Sequence, residues 1–180
     1  MNTFKIHIHL LVICLTALCF GTAAHAQTSA VANVTLVLED VISIENGSAA
    51  AGDILDFSYK TAVDYNSAKT VRRPAALMVT STSNFEVKVK AAGAFFQNGE
   101  NTIPVSTLRI RAVAGGTMDG QYKTLNLSST DQVLVSDATA GTAKSLDIEY
   151  SITAAKAKTD IFGKRPGTYT QTVTYTAVAL

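Results

Sequence analysis

Apolar and polar residues alternate with a period of two along much of the chain. In Ser145–Ile152, Leu146, Ile148, Tyr150 and Ile152 fall on one face and Ser145, Asp147, Glu149 and Ser151 on the other. Phe85, Val87 and Val89 alternate with Glu86, Lys88 and Lys90, and Leu108 and Ile110 with Arg109 and Arg111. Leu55, Phe57 and Tyr59 alternate with Asp56, Ser58 and Lys60. Near the C-terminus, Tyr169, Val173, Tyr175 and Ala177 oppose a row of threonines at 168, 170, 172, 174 and 176. Successive side chains of a strand point to opposite sides, so each segment predicts a strand with one dry and one wet face. That is the pattern of antiparallel sheets burying a single side.

Less regular strands are predicted at Val31–Leu38, at Ala75–Thr80, around Leu125 and Leu127, and around Val133 and Val135. Turn signals punctuate the series: Asn46-Gly47, Ala51-Gly52-Asp53, Asn98-Gly99, Gly115-Gly116, Asp119-Gly120, Gly141 and Pro166-Gly167. Ala154–Lys158 is rich in helix formers but short, and reads as a loop or a single turn. The pattern predicts an all-β chain, an immunoglobulin-like antiparallel β-sandwich of about nine or ten short strands.

The N-terminus breaks this pattern. Met1–Lys5 is short and basic, Ile6–Phe20 is largely apolar, and Ala24-His25-Ala26 has the small-x-small form that signal peptidases cut. Residues 1–26 are expected to be a cleaved signal peptide and 27–180 a single sandwich domain. The apolar stretch is shorter than the ~20 residues a spanning helix needs, and no basic stop-transfer cluster follows it. The expected address is therefore the periplasm, the cell surface or the medium, without a membrane span.

Composition then narrows the chemistry. All histidines (His7, His9, His25) and both cysteines (Cys14, Cys19) lie within the expected signal peptide, and the chain has no tryptophan. The net charge is +1 and Lys5 leaves with the signal, so the remainder is balanced. A balanced charge gives no general attraction to nucleic acid. Without histidine or cysteine, Ser-His-Asp, Cys-His and thiolate-zinc sites are excluded from the exported part. A carboxylate pair at Asp147 and Glu149 falls on the wet face of a strand, where solvated charge is the plainer reading. Asp119-Gly120, or Asp53 with Asp56, would offer oxygens to calcium, but no Asp-x-Asp-x-Asp-Gly loop exists. No enzyme, cofactor or metal site is expected.

Binding features are few. Phe95 and Phe96 sit in a loop-like stretch between Gly93-Ala94 and Asn98-Gly99, where a ring could stack on a sugar or close the end of the core. The threonine row suits a solvated strand face. Lys69, Arg72 and Arg73 before Pro74, and Lys164 and Arg165 before Pro166, read as charged loops or as contacts for an acidic partner.

The closing stretch, Pro166-Gly167-Thr168-Tyr169-Thr170-Gln171-Thr172-Val173-Thr174-Tyr175-Thr176, resembles the last strand of secreted pilin-like domains of the spore coat protein U and fimbrial type. A similar ending occurs in WxL cell-wall domains, whose signature tryptophan is missing here. Many coat-U and fimbrial subunits also carry a disulfide, which the exported part cannot form. The resemblance implies an immunoglobulin-like sandwich used as a structural or adhesive subunit, joined to other protein subunits by donor-strand exchange. Val34, Leu36 and Leu38 share one parity just after the expected cleavage site and are the candidate donor residues. The plainer reading of the same segment is an ordinary first strand. The alternative function is a secreted glycan-binding module using Phe95 and Phe96.

Overall fold

A computed structural model of the protein describes residues 35–46 and 55–180. The expected signal peptide and Val34 lie outside them. The chain divides into two units, Met1–Val37 and Leu38–Leu180. Of the first, only residues 35–37 are described, and they are exposed and outside regular secondary structure.

The second unit is an all-β antiparallel sandwich with eleven strands among the described residues, slightly more than alternation alone predicts. The strands are β1 (Ile42–Asn46), β2 (Lys69–Ser81), β3 (Phe85–Ala91), β4 (Phe95–Asn98), β5 (Asn101–Pro104) and β6 (Arg109–Val113). They continue with β7 (Gln121–Tyr122), β8 (Thr124–Asn126), β9 (Gln132–Ala138), β10 (Gly141–Ile152) and β11 (Val173–Ala179). One sheet has the order β1-β2-β10-β6-β8, a second β11-β3-β9-β7, and β4-β5 forms a separate hairpin. Among the described residues two short α-helices and one 3₁₀ turn (Val105–Thr107) interrupt them: α1 (Ala62–Asn66), and α2 (Ala154–Lys156), which runs on into a wider turn at Ala157–Ile161.

The dry faces meet as predicted. Phe85, Val87 and Val89 of β3 and Leu134 and Val135 of β9 are fully buried. From the opposite sheet, Ile110 of β6 and Leu146 and Ile148 of β10 join the same core. Each such side chain contributes about 1.5–3 kcal/mol of transfer free energy. On the wet faces opposite charges sit together: Lys88 Nζ is 2.8 Å from Glu86 and Arg111 Nη2 is 2.9 Å from Glu149.

Three expectations give way. Val31–Leu38 is not a strand over its described part, and the first strand among the described residues starts at Ile42. The final strand begins at Val173, with Thr170 held before it only by an isolated bridge to Gln97. Lys69, Arg72 and Arg73 lie within β2, which runs through Pro74, rather than on a loop.

Asp147 is the fourth departure. Its parity puts it on the wet face, yet it is 5 % exposed. The cause is a bulge: Leu146 pairs with Leu77 and Ile148 with Arg73, so Asp147 alone faces Pro74, Ala75 and Ala76. Proline has no amide proton to donate, and Ala75 turns into the left-handed region at φ 45°. Asp147 fills the gap, accepting from the Ala75 amide at 2.8 Å and from Arg72 Nη2 at 2.8 Å. Arg72 also donates to the Ala114 carbonyl at 2.6 Å. Gly115, at φ 142°, lies so close that a β-carbon there would overlap Asp147 and Arg72. Burial works to raise the Asp147 carboxyl, but the amide and guanidinium outweigh it and hold it below the usual carboxylate range.

Candidate functional site

The segment Leu55–Lys60 has the side-chain pattern of a strand without its backbone pairing. Leu55, Phe57 and Tyr59 are half-buried against the core, and Asp56, Ser58 and Lys60 are exposed. Among the described residues, none of 55–60 belongs to a sheet. The segment is anchored at its C-terminal end instead. Thr61 caps α1, its hydroxyl accepting from the Asp64 amide at 3.3 Å. Asp64 reaches back to the amides of Lys60 (2.8 Å) and Thr61 (2.7 Å), the reciprocal arrangement of a capping box. Its other oxygen meets Lys69 Nζ at 2.7 Å, at the start of β2. Lys69, followed by these amides, holds the Asp64 carboxyl well below its ordinary range.

A cleft of about 1200 Å³ opens beside this segment. Its walls come from 55–60, α1, Arg73 to Leu77 of β2, the end of β10, the stretch 161–171, and the start of β11. The 161–171 wall is fixed to the β4-β5 hairpin. Thr170 exchanges backbone hydrogen bonds with Gln97 at 3.0 and 3.1 Å, and Gln171 Nε2 donates to the Phe95 carbonyl at 2.7 Å. Gly167, at φ 151°, lets the chain pass against the Asn98 side chain where any β-carbon would collide.

Aromatic rings dominate the interior. Tyr59, Tyr65, Tyr150, Tyr169 and Tyr175 line it, with Phe57 and Phe96. Tyr59 and Tyr65 pack with centroids 5.3 Å apart, and Phe162 meets Tyr65 edge-on at 5.4 Å. The Tyr150 and Tyr175 hydroxyls are 2.7 Å apart and join the two sheets. Burial, then the neighbouring Tyr150, push the Tyr175 phenol well above its ordinary value, and burial raises Tyr150 as well. The Tyr59 phenol is pushed up to about 12 by burial and then by Asp64 and Tyr65. Its hydroxyl is buried and has no hydrogen-bond partner among the described residues.

The charge around the cleft is uneven. Lys60, Arg73, Lys164 and Arg165 line it, and Asp56 is the one carboxylate among the described lining residues. Among the described residues, Lys60, Lys164 and Arg165 have no acidic partner, and Arg73 lies close enough to Tyr150 to act on its phenol.

The sequence candidates scatter across the surface. Phe95 and Phe96 are on β4, not on a loop, so they point to opposite sides: Phe95 is 44 % exposed, and Phe96 enters the cleft and touches the core. Leu36 and Leu38 are 78 % and 83 % exposed. The Asp147 and Glu149 carboxylates are engaged by different arginines, Arg72 and Arg111. Asp119 accepts from the Thr139 amide and hydroxyl and from Lys144 at 3.1 Å. Among the described residues, no cluster of three or more acidic, histidine or cysteine side chains could hold a metal ion. The cleft was not foreseen, because its walls come from segments far apart in the sequence. The one local signal was the density of tyrosine and cations in 57–73 and 161–175.

No protein-family model matches the chain, and no curated protein matches it.

Proposed function

We propose that the protein is an exported, non-enzymatic structural or adhesive subunit, acting in the periplasm, at the cell surface or outside the cell through protein–protein contacts. The observation that carries this reading is the state of the strand edges. Among the described residues, β11 pairs only with β3, and Lys69–Arg73 of β2 pair only with β10. Free edges of this length template an added strand. Charge guards the β2 edge through Lys69, Arg72 and Arg73, whereas β11 presents exposed Thr174 and Thr176. Leu36 and Leu38, exposed on the described part of the N-terminal segment, supply the alternating apolar side chains a donated strand needs. The likeness of the closing stretch to pilin-like domains points the same way. The non-enzymatic part of the reading rests on two observations. All histidines and cysteines fall within the first 26 residues, and Asp64, Asp119, Asp147 and Asp160 are each held by structural partners.

Size-exclusion chromatography with light scattering tests this on Gln27–Leu180 and on a form lacking Gln27–Leu38. Concentration-dependent oligomers that disappear with the deletion support strand donation. Monomers in both forms, with no association with the cell surface, would remove it.

A further inference from the structure

Resting on the strand-addition reading, we infer that Leu55–Lys60 is a place-holder that must leave before a strand of a second copy can pair with Lys69–Arg73 of β2. Over this stretch of β2 the half-buried parity is Lys69, Val71 and Arg73, which pair with Ile152, Tyr150 and Ile148 of β10. Those three β10 residues are buried in the core. A strand added along the other side of β2 would therefore turn every second side chain toward the core at this end of the sandwich. Leu55, Phe57 and Tyr59 already pack against the core with the same spacing. They do so beside the same stretch of β2. Lys69 Nζ stands 5.1 Å from the centre of the Tyr59 ring, and Arg73 lines one cleft with Leu55–Lys60. Two sets of side chains cannot fill one place, so the added strand and Leu55–Lys60 exclude each other.

Leu55–Lys60 is made to give way. Among the described residues its backbone joins no sheet, so its departure breaks no ladder. Its C-terminal end is held by Asp64, which accepts from the amides of Lys60 and Thr61. Tyr59 brings in a hydroxyl that has no hydrogen-bond partner among the described residues, which makes its burial costly. An added strand gains what the place-holder lacks, the main-chain hydrogen bonds of the β2 edge. The donor is the N-terminal segment of a second copy. Leu36 and Leu38 are exposed at alternate positions, and Glu39 and Asp40 follow them, opposite in sign to Lys69 and Arg72 along the edge.

The test is a fluorescence-anisotropy titration of the exported chain, Gln27–Leu180, with a labelled peptide of residues 33–40, paired with hydrogen exchange. The peptide is expected to bind and to slow exchange of the Lys69–Arg73 amides. It should also speed exchange of the Lys60 and Thr61 amides, as the place-holder pulls away from Asp64. The same peptide carrying Leu36→Ser and Leu38→Ser should bind about tenfold more weakly or worse. Phe57→Ala loosens the place-holder without touching a charge and should tighten binding about tenfold. Tyr59→Phe removes the unmade hydrogen bond and steadies the place-holder, so binding should weaken about three- to tenfold. Because Tyr59→Phe keeps the ring, the sign of its shift decides even where Phe57→Ala destabilises the sandwich. Protection of β11 instead of Lys69–Arg73, or slow Lys60 and Thr61 amides in the bound state, would overturn the place-holder and leave strand addition standing. Binding that neither variant shifts would do the same. Binding to none of the three chains would remove strand addition, and the place-holder with it.

Discussion

Two regions of the sandwich carry the same period-two signal and resolve it differently. In β10, Leu146, Ile148, Tyr150 and Ile152 are buried and their strand is paired on both sides, by β2 and β6. In Leu55–Lys60 the apolar parity also turns inward, but among the described residues no ladder holds it. Alternation therefore reports which side chains are dry and leaves open whether the backbone is paired. Where the ladder is interrupted in β10, a carboxylate replaces the missing partner. Beside 55–60 none of the described residues replaces it, and a cleft opens there.

The contrast can be broken first in the core. Phe85→Ala, at a fully buried position, should cost about 3–5 kcal/mol in urea denaturation, whereas Phe57→Ala, at a half-buried one, should cost about 1–2. Equal losses would mean that 55–60 is as integral to the core as β3.

Next comes the bulge. Asp147→Ala strands the Ala75 amide and Arg72, and about 2–4 kcal/mol should be lost near neutral pH, allowing for the half-exposed guanidinium. The sign with pH follows from the lowered folded-state value. The stabilisation is complete above the unfolded carboxyl pKa of about 3.9 and fades as pH falls through the folded one. The gap between wild type and variant should therefore narrow in acid, and a gap that stays constant would assign the loss to packing.

The smallest effect belongs to β4. Phe95→Ala should change stability by less than about 0.5 kcal/mol, because its ring is 44 % exposed. Phe96→Ala, facing the cleft and the core, should cost more when both variants are compared by urea denaturation.

These cases also mark how far the sequence could be read. Strands such as β3, β6 and β10 were legible because each buries one face along its length, which writes the period directly into the residues. Phe95 and Phe96 read as a loop because Gly93 and Gly99 flank them closely, but Gly93 precedes strand β4 and Gly99 forms the turn of its hairpin with β5. Helix α1 escaped because five residues are too few for a 3.6-residue period, although Thr61-x-x-Asp64 was a capping signal in plain sight. Asp147 and the cleft were beyond local reading. One depends on a bulge against a strand far away in sequence, as the contact from Asp147 to Ala75 across 72 residues shows, and the other on segments that meet only after folding.

The hydroxyl pair between Tyr150 and Tyr175 has an optical consequence. The chain has six tyrosines and no tryptophan, so its near-ultraviolet signal is tyrosine's own. Both phenols of the pair, and Tyr59 beside them, keep their protons beyond the ordinary range. What they contribute to the fold is intact below the unfolded phenol pKa of about 10 and is surrendered as alkali carries pH through the higher folded values. The colour change of phenolate and the parting of the two sheets are thereby tied together, and the seam of the sandwich reports on its own closure.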